Sequence, residues 1–143
     1  MKFSTLIFTF LMVSISLVAC QGESALTVEE PWARPGPAGS NSAVYFLIDN
    51  PTNREDSLID ASSSAASQVE IHLSMMGADE TMSMHPQESV PIPERGQVTF
   101  EPGGLHVMLV NLKRDLAEGE QIELILRFRE AGEITLQVPV EQR

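Results

Sequence analysis

The sequence predicts an all-β domain, an antiparallel sandwich or barrel, on three observations. Short runs rich in β-branched and aromatic residues recur about every ten positions. Gly, Pro, Asn and Asp punctuate them at the places where a chain reverses. No stretch sustains a 3.6-residue apolar period over three turns, and residues 115–120 hold at most one helical turn.

The elements follow in order. QGESAL (21–26) is small and polar, a short tether. In EEPWARPGPAGSN, four Pro and Gly residues between positions 31 and 37 argue against regular structure, leaving Trp32 as a core or loop anchor. AVYFLI (43–48) is the first predicted strand, closed by the turn signal Asp49-Asn50-Pro51. SLIDAS (57–62), VEIHLSM (69–75), QVTFE (97–101), HVMLVNL (106–112), IELILRF (122–128) and ITLQVPV (134–140) complete the set. Alternation in VEIHLSM places Val69, Ile71, Leu73 and Met75 on one face, with Glu70, His72, Ser74 and Met76 on the other. His72 is therefore expected on a polar, unburied face. In HVMLVNL, His106 and Met108 share a face while Val107 and Leu109 turn to the core.

The N-terminus reads as a leader. Met1-Lys2 supplies a positive start, and residues 3–19 are apolar and hydroxylic without charge, too short and too small-ended for a spanning helix. Leu17-Val18-Ala19-Cys20 looks like a bacterial lipobox, which implies cleavage before Cys20 and a lipid on that residue. Gln21, in place of an Asp retention signal, favours the outer membrane. The expected division is a signal peptide over 1–19, a lipid-anchored tether over 20–26 and a β domain over 27–143, facing the periplasm as a monomer. Cys20 is the single cysteine of the chain, so the domain has neither a disulfide nor a thiolate for structural zinc or blue copper. Core packing alone must hold it together. The net charge of −11 has the wrong sign for nucleic-acid binding and serves solubility first.

Methionine is where this chain departs from an ordinary β domain. Met75, Met76, Met82 and Met84 cluster beside His72 and His85, and Met108 lies two residues from His106. Methionine is a poor strand former and specifies a core weakly, so this grouping with all three histidines calls for a chemical reason. Thioether sulfur is soft and imidazole borderline; together they suit Cu(I), whereas Mg, Ca and Mn prefer oxygen. Methionine neither titrates nor forms disulfides, so such a site functions in an oxidising compartment. At ~3.3 Å per residue the backbones of His106 and Met108 lie about 6–7 Å apart, close enough to share one ion. An enzyme is not expected: no Ser-His-Asp grouping has recognisable context, and no acid–base pair is evident. Lys113-Arg114, read as lying beside the site, is by default a solvated turn.

The spacing resembles that of the periplasmic copper chaperones of the PCuAC family, whose pattern is H(M)X10-M-X21-H-X-M. Here 21 residues separate Met84 from His106, and His106-Val107-Met108 supplies H-X-M. Between His72 and Met84 lie 11 residues, one more than the pattern, and Leu73 stands where the optional methionine would be. The likeness runs through PWARPGPAGSNSAVYF, SSSAASQVEIH, PGGLHVMLVNLKRDLAEGE and ITLQVPV. It implies a cupredoxin-like Greek-key sandwich with an exposed Cu(I) site at one end, held by His72, Met84, His106 and Met108. Met75, Met82 and His85, which lie in the same cluster, are read from the sequence as auxiliary candidates, His85 for Cu(II). It also implies delivery of copper for assembly of the cytochrome c oxidase copper subunit, alongside Sco-type proteins. Copper storage or scavenging for tolerance would use the same ligands without a transfer partner, and a purely structural envelope lipoprotein would bind no metal.

Overall fold

The computed structural model describes residues 25–143; the leader, the lipidation position Cys20 and most of the tether lie outside the described residues. Those residues form ten strands and no helix: β1 (Thr27–Ala33), β2 (Ser42–Asn50), β3 (Asp56–Ser62), β4 (Ala66–Met76), β5 (Met82–Pro86), β6 (Val90–Ile92), β7 (Gly96–Phe100), β8 (Leu105–Leu112), β9 (Gln121–Phe128) and β10 (Gly132–Pro139). They build two sheets, one ordered β1-β2-β7-β8-β4-β5 and the other β10-β9-β3-β6. Consecutive strands such as β2, β3 and β4 alternate between the sheets, the crossed wiring of a cupredoxin-like sandwich. Strand β2 changes partner along its length, pairing with β8 over residues 42–44 and with β7 over 46–50. Pairing is antiparallel apart from the single step Phe100–Leu105, where the chain turns from β7 into β8, and the isolated bridge Ala33–Val140.

Alternation fills the space between the sheets. Ile122, Leu124, Leu126 and Phe128 of β9 point inward and are met by Val44, Phe46 and Ile48 of β2, Ile71 of β4 and Val107 and Leu109 of β8. Phe46 stacks on Phe100 with ring centroids 4.4 Å apart. Each fully buried side chain of this kind contributes about 1.5–3 kcal/mol. Without disulfides, this apolar contact is what holds the layers together.

Strands β1, β5 and β6 were not expected from the sequence, and all three are sheet edges. The expectation of no regular structure in the Pro-rich segment is corrected for its first part, because β1 runs through Pro31 to Ala33. An edge strand tolerates proline because its outer side needs no ladder hydrogen bond. A register shift between Glu29 and Trp32, with Glu30 at φ 50°, absorbs the misfit. Residues 115–120 form a bridge at Leu116 and a turn, not a helical turn.

Candidate metal centre

The centre is assembled from the register of β4 against β8. His72 stands directly opposite His106, and Glu70 directly opposite Met108. Their paired neighbours Ile71 and Val107 are 5% and 0% exposed and face the core. Pleat parity therefore sets His72, His106, Glu70 and Met108 together on the outer face of the six-stranded sheet. The two imidazole centroids are 5.8 Å apart with planes at 76°. The row of rings continues across the sheet through Tyr45 on β2, 6.4 Å from His106, to Trp32 on β1, 4.6 Å from Tyr45. Trp32, Ala43 and Tyr45 make a small apolar cluster of their own on this face.

Two sequence expectations are corrected here. His72 is on the outer face, but only 14% of its side chain is exposed. His106 is 3% exposed, so the pair is not an open surface site. His106 is sheltered because the apolar run 43–48 is buried on both faces along its first half, which brings Tyr45 up beside His106. Beyond residue 73 of β4 burial departs from the expected pattern while the pleat continues: Ser74, on the face of His72, is buried and Met75 exposed.

Strand β5 brings Met84 to the same face, opposite Ser74, with Pro86 opposite His72. Met84 is thus a diagonal neighbour of His72, as Met108 is from the other side. Diagonal partners lie about 7–8 Å apart, within reach of a long side chain. His72 consequently adjoins each of the other three expected ligands, while Met84 and His106 are separated by the width of β4. Among the auxiliary residues, Met82 shares this face opposite Met76. Met75 and His85 have the opposite parity, and His85 Nε2 is engaged with Ser83 Oγ at 3.1 Å.

Hydrogen bonds select the ring nitrogens. His106 Nδ1–H donates to the Gly104 carbonyl at 3.1 Å, which leaves Nε2 with its lone pair. The same carbonyl accepts the Ser74 N–H at 3.0 Å, tying β4 to this turn. His72 Nε2–H donates to Glu70 Oε2 at 2.7 Å, and its Nδ1 is buried without a hydrogen-bond partner. Burial holds the His106 imidazole below its usual pKa, and the neighbouring His72 and Arg34 add to this, outweighing the opposing Gly104 hydrogen bond. Burial likewise raises the Tyr45 phenol, which stays protonated and is no anionic ligand.

Two imidazoles flanked by thioethers form a soft donor set. Among the described residues no three His, Cys, Asp or Glu side chains gather closely enough for an ion, so a site here requires the methionines. Glu70 and Tyr45 were not singled out from the sequence. Parity with His72 signals the first, and an apolar run with no alternation signals the second. Lys113 and Arg114 sit at the far end of β8 from His106, and Arg114 pairs with Glu120 at 2.7 Å, so they do not adjoin the centre.

The sequence profile of the LpqE-like lipoprotein family matches residues 26–140. Uncharacterized protein RP573 of Rickettsia prowazekii is 32% identical over 113 residues, an alignment covering 74% of this chain and 61% of that protein. The chain thus spans less than two thirds of that relative. The copper-bound PCuAC domain from PmoF2 superposes with a TM-score of 0.70 at 30% identity, covering 85% of this chain and 96% of that domain. The solution structure of CuI-DR1885 from Deinococcus radiodurans gives 0.63 at 26% identity, covering 86% and 84%.

Proposed function

The chain belongs to the LpqE-like family and to the PCuAC domains, and from that premise we propose that it is a Cu(I)-binding metallochaperone of the bacterial envelope. The observation that carries this reading is the pairing of His72 with His106, each with one ring nitrogen left outside any hydrogen bond, between Met108 and Met84. His72, Met84, His106 and Met108 hold the ion, which is cargo and not a resident cofactor. The two imidazoles supply the stronger donors, and the thioethers keep copper in its monovalent state.

The four groups differ in access. His106 is buried, whereas Met84 lies on an edge strand and is 54% exposed. An incoming or outgoing ion meets the thioether first and the imidazoles last. That gradient suits stepwise hand-over between proteins better than permanent retention. The recipient we infer is the copper subunit of cytochrome c oxidase, with Sco-type proteins acting alongside; the support is the family resemblance of the motif. Lipidation of Cys20 would hold the domain at the periplasmic side of the outer membrane.

The test is a titration with Cu(I) against a competing chelator, followed by mixing with an apo oxidase copper domain. One equivalent bound and then transferred is the expected result. Binding without transfer would turn the reading to storage, and stoichiometry unchanged after joint replacement of His106 and Met108 would remove the assigned site.

A further inference from the structure

The hairpin of β4 and β5 carries four methionines that are the large apolar side chains left exposed among the described residues. Met75, Met76, Met82 and Met84 are 52%, 69%, 52% and 54% exposed. Exposed at this level, they are not filling for the core. Register sorts them: Met76 faces Met82 directly, in the row beyond Ser74 and Met84, and all three thioethers share the outer face with His72. Met75 has the other parity and stands opposite Ser83.

The pair sits on a closed turn and not on a loose loop. Gly77 N–H donates to Thr81 O at 2.8 Å and Glu80 N–H to Gly77 O at 3.0 Å. The Asp79 carboxylate accepts the Thr81 hydroxyl at 2.7 Å and its N–H at 3.3 Å. Directly opposed residues of an antiparallel pair have Cβ atoms about 4.5–5.5 Å apart, so two flexible thioethers there can close on one ion. The next row along the ribbon lies about 6–7 Å away and holds Met84, which in turn is the diagonal neighbour of His72.

We propose that Met76 and Met82, with Met84 shared, form a second, all-thioether site for a soft monovalent cation, from which the ion moves inward to His72 and His106. This rests on the reading that the inner centre takes Cu(I). Neutral thioethers select soft ions, and three of them bind without the stronger imidazole donors. The move is a ligand substitution at constant oxidation state: Met84 stays bound while the sulfurs of Met76 and Met82 are replaced by ring nitrogens. The nitrogens that enter are His72 Nδ1 and His106 Nε2, since the other nitrogen of each ring is held by Glu70 and by the Gly104 carbonyl.

The experiment uses the mature chain labelled with 13C at the methionine methyls and titrated with Ag(I), a redox-inert soft cation. In a His72→Gln/His106→Gln variant, which keeps the ion in the outer row, the Met76 and Met82 methyl resonances should shift together with Met84. A Met76→Leu/Met82→Leu variant should keep the Met84 and Met108 shifts and one bound equivalent, yet load severalfold more slowly from a chelator. Silent Met76 and Met82 methyls in that histidine variant, or loading of the methionine double variant at the wild-type rate, would overturn the outer site alone. Shifts at Met76 and Met82 with unmoved His72 and His106 ring signals would instead sustain the outer site and overturn the inner one.

Discussion

Glu70 Oε2 accepts a hydrogen bond from His72 Nε2–H at 2.7 Å, which leaves Nδ1 as the ring nitrogen turned to the metal centre. Glu70 is two residues upstream on the same strand face, opposite Met108. Its carboxylate therefore holds the ring and its tautomer from outside the expected ligand set, as hydrogen-bond partners of metal-bound histidines commonly do.

Replacing Glu70 with alanine should release that tautomer. Nitrogen NMR of His72 is expected to show mixed protonation in place of a single Nε2–H form, with Cu(I) affinity reduced about 10–100-fold. Glu70→Gln, whose side-chain carbonyl still accepts, should restore most of it. Stability should change by less than about 1 kcal/mol, because the carboxylate is 46% exposed. A large loss of fold stability with unaltered tautomer would contradict the positioning role.

The pH dependence of the metal-free protein should carry the signature of His106. Its folded pKa lies below the ordinary 6.5 because burial disfavours the charged ring. Between the two values the unfolded chain binds the proton and the folded one does not, so stability rises with pH through that window. The contribution is intact above about pH 6.5 and is lost progressively on acidification below it. Urea midpoints measured from pH 8 to 5 should fall in this manner, and His106→Gln should flatten the slope. An equal slope in that variant would assign the effect elsewhere.

The two methionines should separate by X-ray absorption. Met108→Leu and Met84→Leu are near-isosteric and should each cost under about 1.5 kcal/mol in stability. Each should remove one sulfur neighbour from Cu(I) while the nitrogen neighbours remain. A loaded protein with no sulfur scattering at all would dispose of the donor set.

Asp56 should matter for the fold and not for metal. It is buried, and its carboxylate accepts the N–H groups of Ser57 at 2.7 Å, Glu130 at 2.9 Å and Ala131 at 2.9 Å, pinning the β9–β10 turn to β3. Asp56→Ala should cost about 1–3 kcal/mol or more through stranded donors, read as a lower urea midpoint. Cu(I) affinity of the folded fraction should be unchanged, since this turn belongs to the other sheet.

Local alternation and composition carried the central strands, the shared face of His106 and Met108, and the absence of any thiolate site. Each depends on residues within one strand, where a period of two is visible in the chain itself. The edge strands β1, β5 and β6 escaped notice because edges accept proline and short or polar segments. The meeting of His72 with His106 and the diagonal approach of Met84 are matters of register between strands distant in sequence. Register is set by how two faces of a sheet are buried at once. Burial of the histidine pair, the hydrogen bonds that pick its nitrogens and the two-sided sorting of the methionines exist only once Tyr45, Glu70, Gly104 and the β4–β5 hairpin are packed around it.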